Sequence, residues 1–173
     1  MANDTRLGLL AQLVRKQPQS VSQLAEKCSL TLPVASQSLR ALEARGLLRV
    51  RRIRRRVEYR APTRSEAGDL SNLLSALQAA LLRDPEPHAR IAKLATAFTH
   101  ASRIEIYRAL ESGPKTAAQI QAATRLPAQT LMRHVRKLLA RGFIGYDDIA
   151  GKFEHLNHPD PIARALREQV LSL

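Results

Sequence analysis

The chain has 173 residues, with 28 Lys plus Arg against 15 Asp plus Glu, a formal net charge of +13. This length allows one ordinary domain or two small ones, and charge of this size and sign selects polyanionic partners, nucleic acid ahead of an anionic membrane surface. Apolar residues at 45% exclude a disordered basic tail, 3% aromatics without Trp argue against stacking on single strands, and one Cys excludes an intrachain disulfide framework or a multi-cysteine zinc site. The longest apolar stretch, residues 73–82, is too short and interrupted to span a bilayer. The first residues show no charged-then-apolar signal pattern, so a cytoplasmic protein with no membrane association is expected. Of the 28 cations 22 are Arg, whose planar fork matches phosphates and guanine edges.

In chain order, the first element is an apolar-periodic segment through Leu7, Leu10, Leu13 and Val14. Pro18 breaks it, and Ser20-Val-Ser-Gln23 forms a capping box that starts a short helix ending near Ser29. A tight turn through Leu30 and Thr31 leads to a second helix. Thr31 is a good N-cap and Pro33 fits the first turn. That helix ends at Arg45-Gly46, where glycine supplies a left-handed residue. Ala35, Leu39 and Leu42 form its core stripe, continued by Leu47. Two short strands with a turn follow, at residues 47–50 and 57–59. Residues 63–97 form a helical connector, with a stripe of Leu70, Leu73, Leu74, Leu77 and Leu81, a break over residues 83–87, and a further helix carrying Ile91, Leu94, Ala95 and Phe98 on one side.

The same grammar then returns. Ile104, Ile106, Tyr107 and Leu110 open it, Pro114 breaks it, and Thr116-Ala-Ala-Gln119 is a second capping box. That helix ends near Arg125, the turn runs through Leu126-Pro127, and the next helix closes at Arg141-Gly142. Strands at residues 143–146 and 152–155 follow, with Ala150-Gly151 at the turn, and residues 159–173 hold a last helix. Sliding the sequence against itself by 96 residues gives ten identities over about forty positions, among them Pro18 with Pro114, Arg40 with Arg136 and Gly46 with Gly142. A duplicated domain over residues 4–62 and 98–158 accounts for this. Helix, turn, helix and hairpin make a winged helix. The expected fold is mainly α with small β-hairpin wings: two tandem winged helix-turn-helix domains joined by an amphipathic helix.

Residues 30–48, with Ser-Gln-Ser-Leu-Arg inside the second helix, resemble the recognition-helix signature of ArsR-type bacterial repressors. Residues 126–144, with Met132-Arg133-His134-Val135, resemble it too. The resemblance implies DNA binding and repression. Metal-sensing members of that family carry Cys-x-Cys where this sequence has Ser20 and Ser22, or Thr116 and Ala118, and the last helix has no His. The resemblance therefore carries over DNA binding without metal sensing, and no cofactor or metal is expected.

Recognition helices at about residues 31–45 and 127–141 follow. In the first, Pro33, Ser36, Gln37 and Arg40 lie opposite the core stripe; Ser36 and Gln37 are expected at base edges in a major groove and Arg40 at a phosphate. In the second, the matching stripe is Gln129, Met132, Arg133 and Arg136. Arg133 suits a bidentate pair with guanine and Gln129 suits adenine. The hairpin at residues 49–60 carries seven Arg in twelve residues. Among them, Arg51, Arg52, Arg54, Arg55 and Arg56 are expected on backbone and minor groove. The second wing has Asp147 and Asp148 where the first has Arg51 and Arg52. Net charge runs +9 over residues 1–62, −2 over 63–87 and +6 over 88–173, so the first copy is the expected DNA anchor.

Family members pair as two subunits, and two copies in one chain predict an intramolecular pseudo-dimer on a two-part site, with homodimerisation of whole chains left open. Cys28 reads as a small core residue on the buried side of its helix, His155 and His158 lack a ligand cluster, and His134 reads as a backbone contact of the second recognition helix. No paired carboxylates, Ser-His-Asp set or phosphate-cradling loop indicates an enzyme. The competing readings are a tandem winged-helix protein-interaction module, which would not need the Arg-rich wing, and binding of duplex RNA.

Overall fold

The computed structural model describes residues 2–54, 56–84 and 86–172, and the chain divides into two compact units, residues 1–92 and 93–173. In the first, helix α1 (Ala2–Arg15) turns Leu9, Leu10 and Leu13 inward. Helix α2 (Val21–Lys27) begins at the Ser20 capping box: the Gln23 amide donates to Ser20 Oγ at 3.3 Å and the Ser20 amide donates to Gln23 Oε1 at 2.9 Å. Ser29 takes a left-handed backbone (φ 52°) and swings the chain into helix α3 (Leu32–Glu43). Thr31 stands at the N-cap of α3, but its hydroxyl makes no capping bond. Pro33, with its φ already set for a helix, occupies the first turn instead.

Gly46 closes α3 with φ +72°, and a Cβ there would also meet Leu70 Cδ1 at 3.2 Å. Beyond this reversal the helical register no longer applies. Leu48 is the buried residue, while Leu47, expected to continue the core stripe, is only half-buried. Strands β2 (Arg49–Ile53) and β3 (Arg56–Arg60) form the wing, with Val50 opposite Tyr59 and Arg52 opposite Val57. A two-residue strand β1 (Gln19–Ser20) pairs with β3 and makes the sheet three-stranded, in the order β1-β3-β2. Two residues are too few for any period-2 pattern, so the sequence carries no sign of it. Gln19 is buried because its side chain is fully used: Nε2 donates to the Gln12 and Lys16 carbonyls and Oε1 accepts from Lys27 Nζ at 2.6 Å.

After a short helix α4 (Arg64–Ala67), helix α5 (Ser71–Arg83) packs on α1 and buries Leu74, Leu77 and Leu81; Leu70 and Leu73 are half-buried. Cys28 is likewise half-buried, not inside, because α2 stops at Lys27 and leaves the thiol at its C-cap. The division between the units falls within helix α6 (Pro87–Ala95).

The second unit repeats the plan with helices α7 (Ala101–Ala109), α8 (Ala117–Thr124) and α9 (Ala128–Leu139), strands β4 (Ile144–Asp147) and β5 (Lys152–His155), and helix α10 (Pro161–Leu171). The Thr116 capping box, a left-handed Arg125 (φ 56°) and Gly142 (φ +72°) sit where the first unit has Ser20, Ser29 and Gly46. The third strand shrinks to a single bridge between Lys115 and Phe153. Phe98, Tyr107 and Phe143 pack edge to face, with centroids 4.7 to 6.2 Å apart.

Candidate nucleic-acid interface

In the first unit α3 buries Ala35, Leu39 and Leu42, which turns Pro33, Gln37 and Arg40 outward, with Ser36 half-buried on the flank. The Arg40 guanidinium curls over Ser36, donating to its carbonyl at 3.4 Å and its Oγ at 3.3 Å. The two side chains therefore act as one exposed patch. Burial raises the Tyr59 phenol above its ordinary pKa, Glu43 adds to the rise, and the cations Arg40 and Arg52 oppose it. Arg40 on α3 and Arg52 on the wing are both exposed.

The wing arginines fall into two groups. At its base, Arg49 Nη2 donates to the Glu66 carbonyl at 2.7 Å, and Arg60 makes a two-pronged ion pair with the Glu66 carboxylate at 2.5 and 2.7 Å. Arg60, with help from Thr63, holds that carboxyl well below the usual carboxylate range. These two arginines fasten the hairpin to α4. Arg51, Arg52, Arg54 and Arg56 are exposed towards the tip, where Arg51 lies across from Glu58 and Arg56 across from Ile53. Arg54 occupies the left-handed region (φ 52°), which costs a non-glycine residue about 1 kcal/mol. Glycine would fit this position more easily. Arg55 lies outside the described residues.

The second unit presents Gln129, Arg133 and Arg136 on one exposed face of α9, where they line a shallow depression with Ala128, Thr130 and Met132. His134 does not join them. It is 2% exposed, so the expected backbone contact is corrected to a core position. Its imidazole packs on His100 with ring centroids 4.5 Å apart, and Arg103 Nη1 approaches its Nδ1 at 3.5 Å. A guanidinium can only donate, so Nδ1 accepts and the proton sits on Nε2, which has no partner among the described residues. Burial pushes the His134 pKa down, and His100, Arg133, Arg103 and Lys137 push the same way. Arg103 is itself buried and holds the Ala97 carbonyl at 2.6 Å, the Thr96 carbonyl at 2.9 Å and Thr99 Oγ1 at 2.8 Å. The sequence signal for Arg103 is its register, three and four residues before the buried Ile106 and Tyr107.

The second wing ends differently. Asp147 Oδ1 accepts from the Ile149 and Ala150 amides at 2.9 and 3.1 Å, and Gly151 completes the turn at φ +64°. Ile149 is fully exposed there, with Tyr146 and Asp148 also exposed. His155 stacks on Tyr107 and bonds its carbonyl at 2.7 Å, and His158 accepts from the Asp160 amide, so both serve the local fold. Among the described residues no group of three His, Cys, Asp or Glu comes together, and no helix is long and apolar enough to cross a membrane.

Each unit is a winged helix-turn-helix with its second motif helix exposed on one face, the architecture that lays a helix along duplex DNA. A family model described as a helix-turn-helix domain matches residues 1–51 and 98–144, more than half of the chain. The protein belongs to that helix-turn-helix domain family, a DNA-binding regulator type. No curated protein matches the sequence.

Proposed function

We propose that the chain is a sequence-specific double-stranded DNA-binding transcriptional repressor of ArsR type, a tandem duplication without the metal-sensing cysteines. Residues 4–62 form the main anchor and residues 98–158 read a second half-site. The two copies act as a pseudo-dimer on half-sites about 10 base pairs apart. Ser36 and Gln37 meet base edges, Arg40 meets a phosphate, and Arg51, Arg52, Arg54, Arg55 and Arg56 meet backbone and minor groove. Gln129, Arg133 and Arg136 do the corresponding work in the second copy. The observation that carries this reading is the exposure of Gln37 and Arg40 on the face of α3 opposite its core stripe, followed along the chain by a hairpin with Arg51, Arg52, Arg54 and Arg56 exposed. Exposed cations on a helix and a hairpin suit a groove and its flanking phosphates together.

The test is selection of binding sequences from a random duplex library at low and at physiological salt. A two-part motif that survives physiological salt is the expected result. Sequence-blind binding that collapses with salt would leave electrostatics alone and overturn specific regulation. Protein interaction is a second reading for the wing of residues 144–155 only, favoured by exposed Tyr146 and Ile149 beside Asp147 and Asp148.

A further inference from the structure

The first turn of α3 holds side chains that neither the core nor the polar stripe accounts for. Leu32 is 54% exposed and Val34 43% exposed, with Pro33 exposed between them. Both are large apolar side chains exposed in the first turn of the helix. Large apolar side chains cost free energy in water. In a helix-turn-helix, the N-terminal residues of the second helix are the ones that reach base edges. Among the edges that face a major groove, only thymine offers an apolar group, its C5-methyl.

We infer that Leu32 and Val34 are specificity residues that read thymine methyl groups in the half-site bound by the first unit. This rests on the DNA-binding reading above and adds to it which base the helix selects. Leu32 and Val34 flank the Pro33–Gln37 line on opposite sides, one about 60° and the other about 260° around the helix from Ala35 at 100° per residue. They therefore meet methyls at different base steps, with Gln37 between them free to bond an adenine. The second unit makes the choice specific to the first. Ala128 and Thr130 stand 96 residues after Leu32 and Val34, and its first turn is Ala-Gln-Thr, without a large apolar side chain. The half-site read by α9 should lack this dependence on methyl groups.

The experiment removes the methyl and leaves the protein intact. The duplex selected by the full chain is remade with each thymine replaced singly by deoxyuridine, and affinity is measured by fluorescence anisotropy at fixed salt. Loss of one methyl from an apolar contact should weaken binding about fourfold. The loss is expected at one or two thymines of one half-site and at none in the other. Leu32→Ala and Val34→Ala should each bind the parent duplex more weakly and become insensitive to one of those replacements, with circular dichroism confirming that each variant folds. If a selective site is recovered but every deoxyuridine duplex binds as its parent does, methyl reading is wrong and the regulator reading stands. Methyl reading by these two residues is equally overturned if the folded Leu32→Ala and Val34→Ala variants keep the full deoxyuridine penalty. If no selective site is recovered at all, both readings fall.

Discussion

The two units share helix order, capping boxes and closing glycines, and differ in where they place charge. The first buries the neutral Gln19 as its polar side chain and puts cations on the wing: Leu7 and Ser38 occupy the positions 96 residues before Arg103 and His134. The second buries a guanidinium and an imidazole and ends its wing in two aspartates and a fully exposed Ile149. The buried guanidinium is satisfied by the Thr96 and Ala97 carbonyls and Thr99 Oγ1, while His134 Nε2 has no partner among the described residues. A winged helix with an Arg-covered hairpin is specialised at its surface. The same scaffold therefore carries two chemistries, and each contrast can be tested by altering one side.

The largest expected effect is on the wings. Changing Arg51, Arg52, Arg54 and Arg56 to Ser should weaken DNA binding about 100- to 1,000-fold at physiological salt. The slope of log affinity against log salt should fall by about 3 to 4. Titration at several salt concentrations reads both. The converse change, Asp147→Arg with Asp148→Arg, should steepen the slope if the second wing lies near phosphate; an unchanged slope would mean that this wing faces something other than DNA.

Next in size is the buried polar layer. Arg103→Ala strips the Thr96 and Ala97 carbonyls and Thr99 Oγ1 of their donor, and should cost about 3 kcal/mol. Hydrogen exchange should show the loss within residues 93–173 and leave residues 1–92 protected. Acid should separate the units in the same way. The folded state depresses the pKa of His134, and that of His155 through burial, partly offset by its bond to Tyr107. An unfolded imidazole takes up its proton from about pH 6.5 downward. The second unit is therefore at full stability above that pH and loses stability as pH falls below it. Residues 4–62 contain no His. The first unit's Glu66 is held below its ordinary 4.5, so its contribution is present above that pH and disappears only on more acidic titration. Exchange protection at pH 5 and pH 7.5 checks the contrast, and equal losses in both units would refute it.

Base reading comes third. Arg133→Ala should cost about 1–3 kcal/mol and relax selection at a single guanine if α9 enters a groove. Gln37→Ala does the same for adenine in the other half-site. A silent Arg133→Ala beside a costly Gln37→Ala would leave the first unit as the sole reader.

Much of this was legible in the sequence because local chemistry recurs at a fixed offset. The capping boxes, the left-handed glycines and the apolar stripe of α3 are each set by a few neighbouring residues, and all lie where expected. What the sequence hid depends on tertiary neighbours. β1 exists only because β3 offers it an edge. The wing arginines look alike as a run, and only the position of Glu66 separates the anchors Arg49 and Arg60 from the others. His134 sits beside exposed Arg133 in the sequence, yet one step of 100° around α9 turns it into the core against His100 and Arg103.

The smallest effect tests the finest difference between helix starts. Thr31 and Thr116 have the same residue type at the same kind of position, an extended N-cap ahead of a motif helix. Thr116 Oγ1 accepts from the Gln119 amide at 3.3 Å, and Gln119 returns the bond to the Thr116 amide at 2.9 Å. Thr31 makes no such bond, and its helix has Val34 at N3, which has nothing to return. Thr116→Ala should therefore cost about 1 kcal/mol, and Thr31→Ala only a few tenths, within the usual range of surface changes. Chemical denaturation of the two variants side by side makes the comparison. Equal costs would mean that Thr31 does cap α3 in solution, and that the start of the first recognition helix depends on its hydroxyl as well as on Pro33.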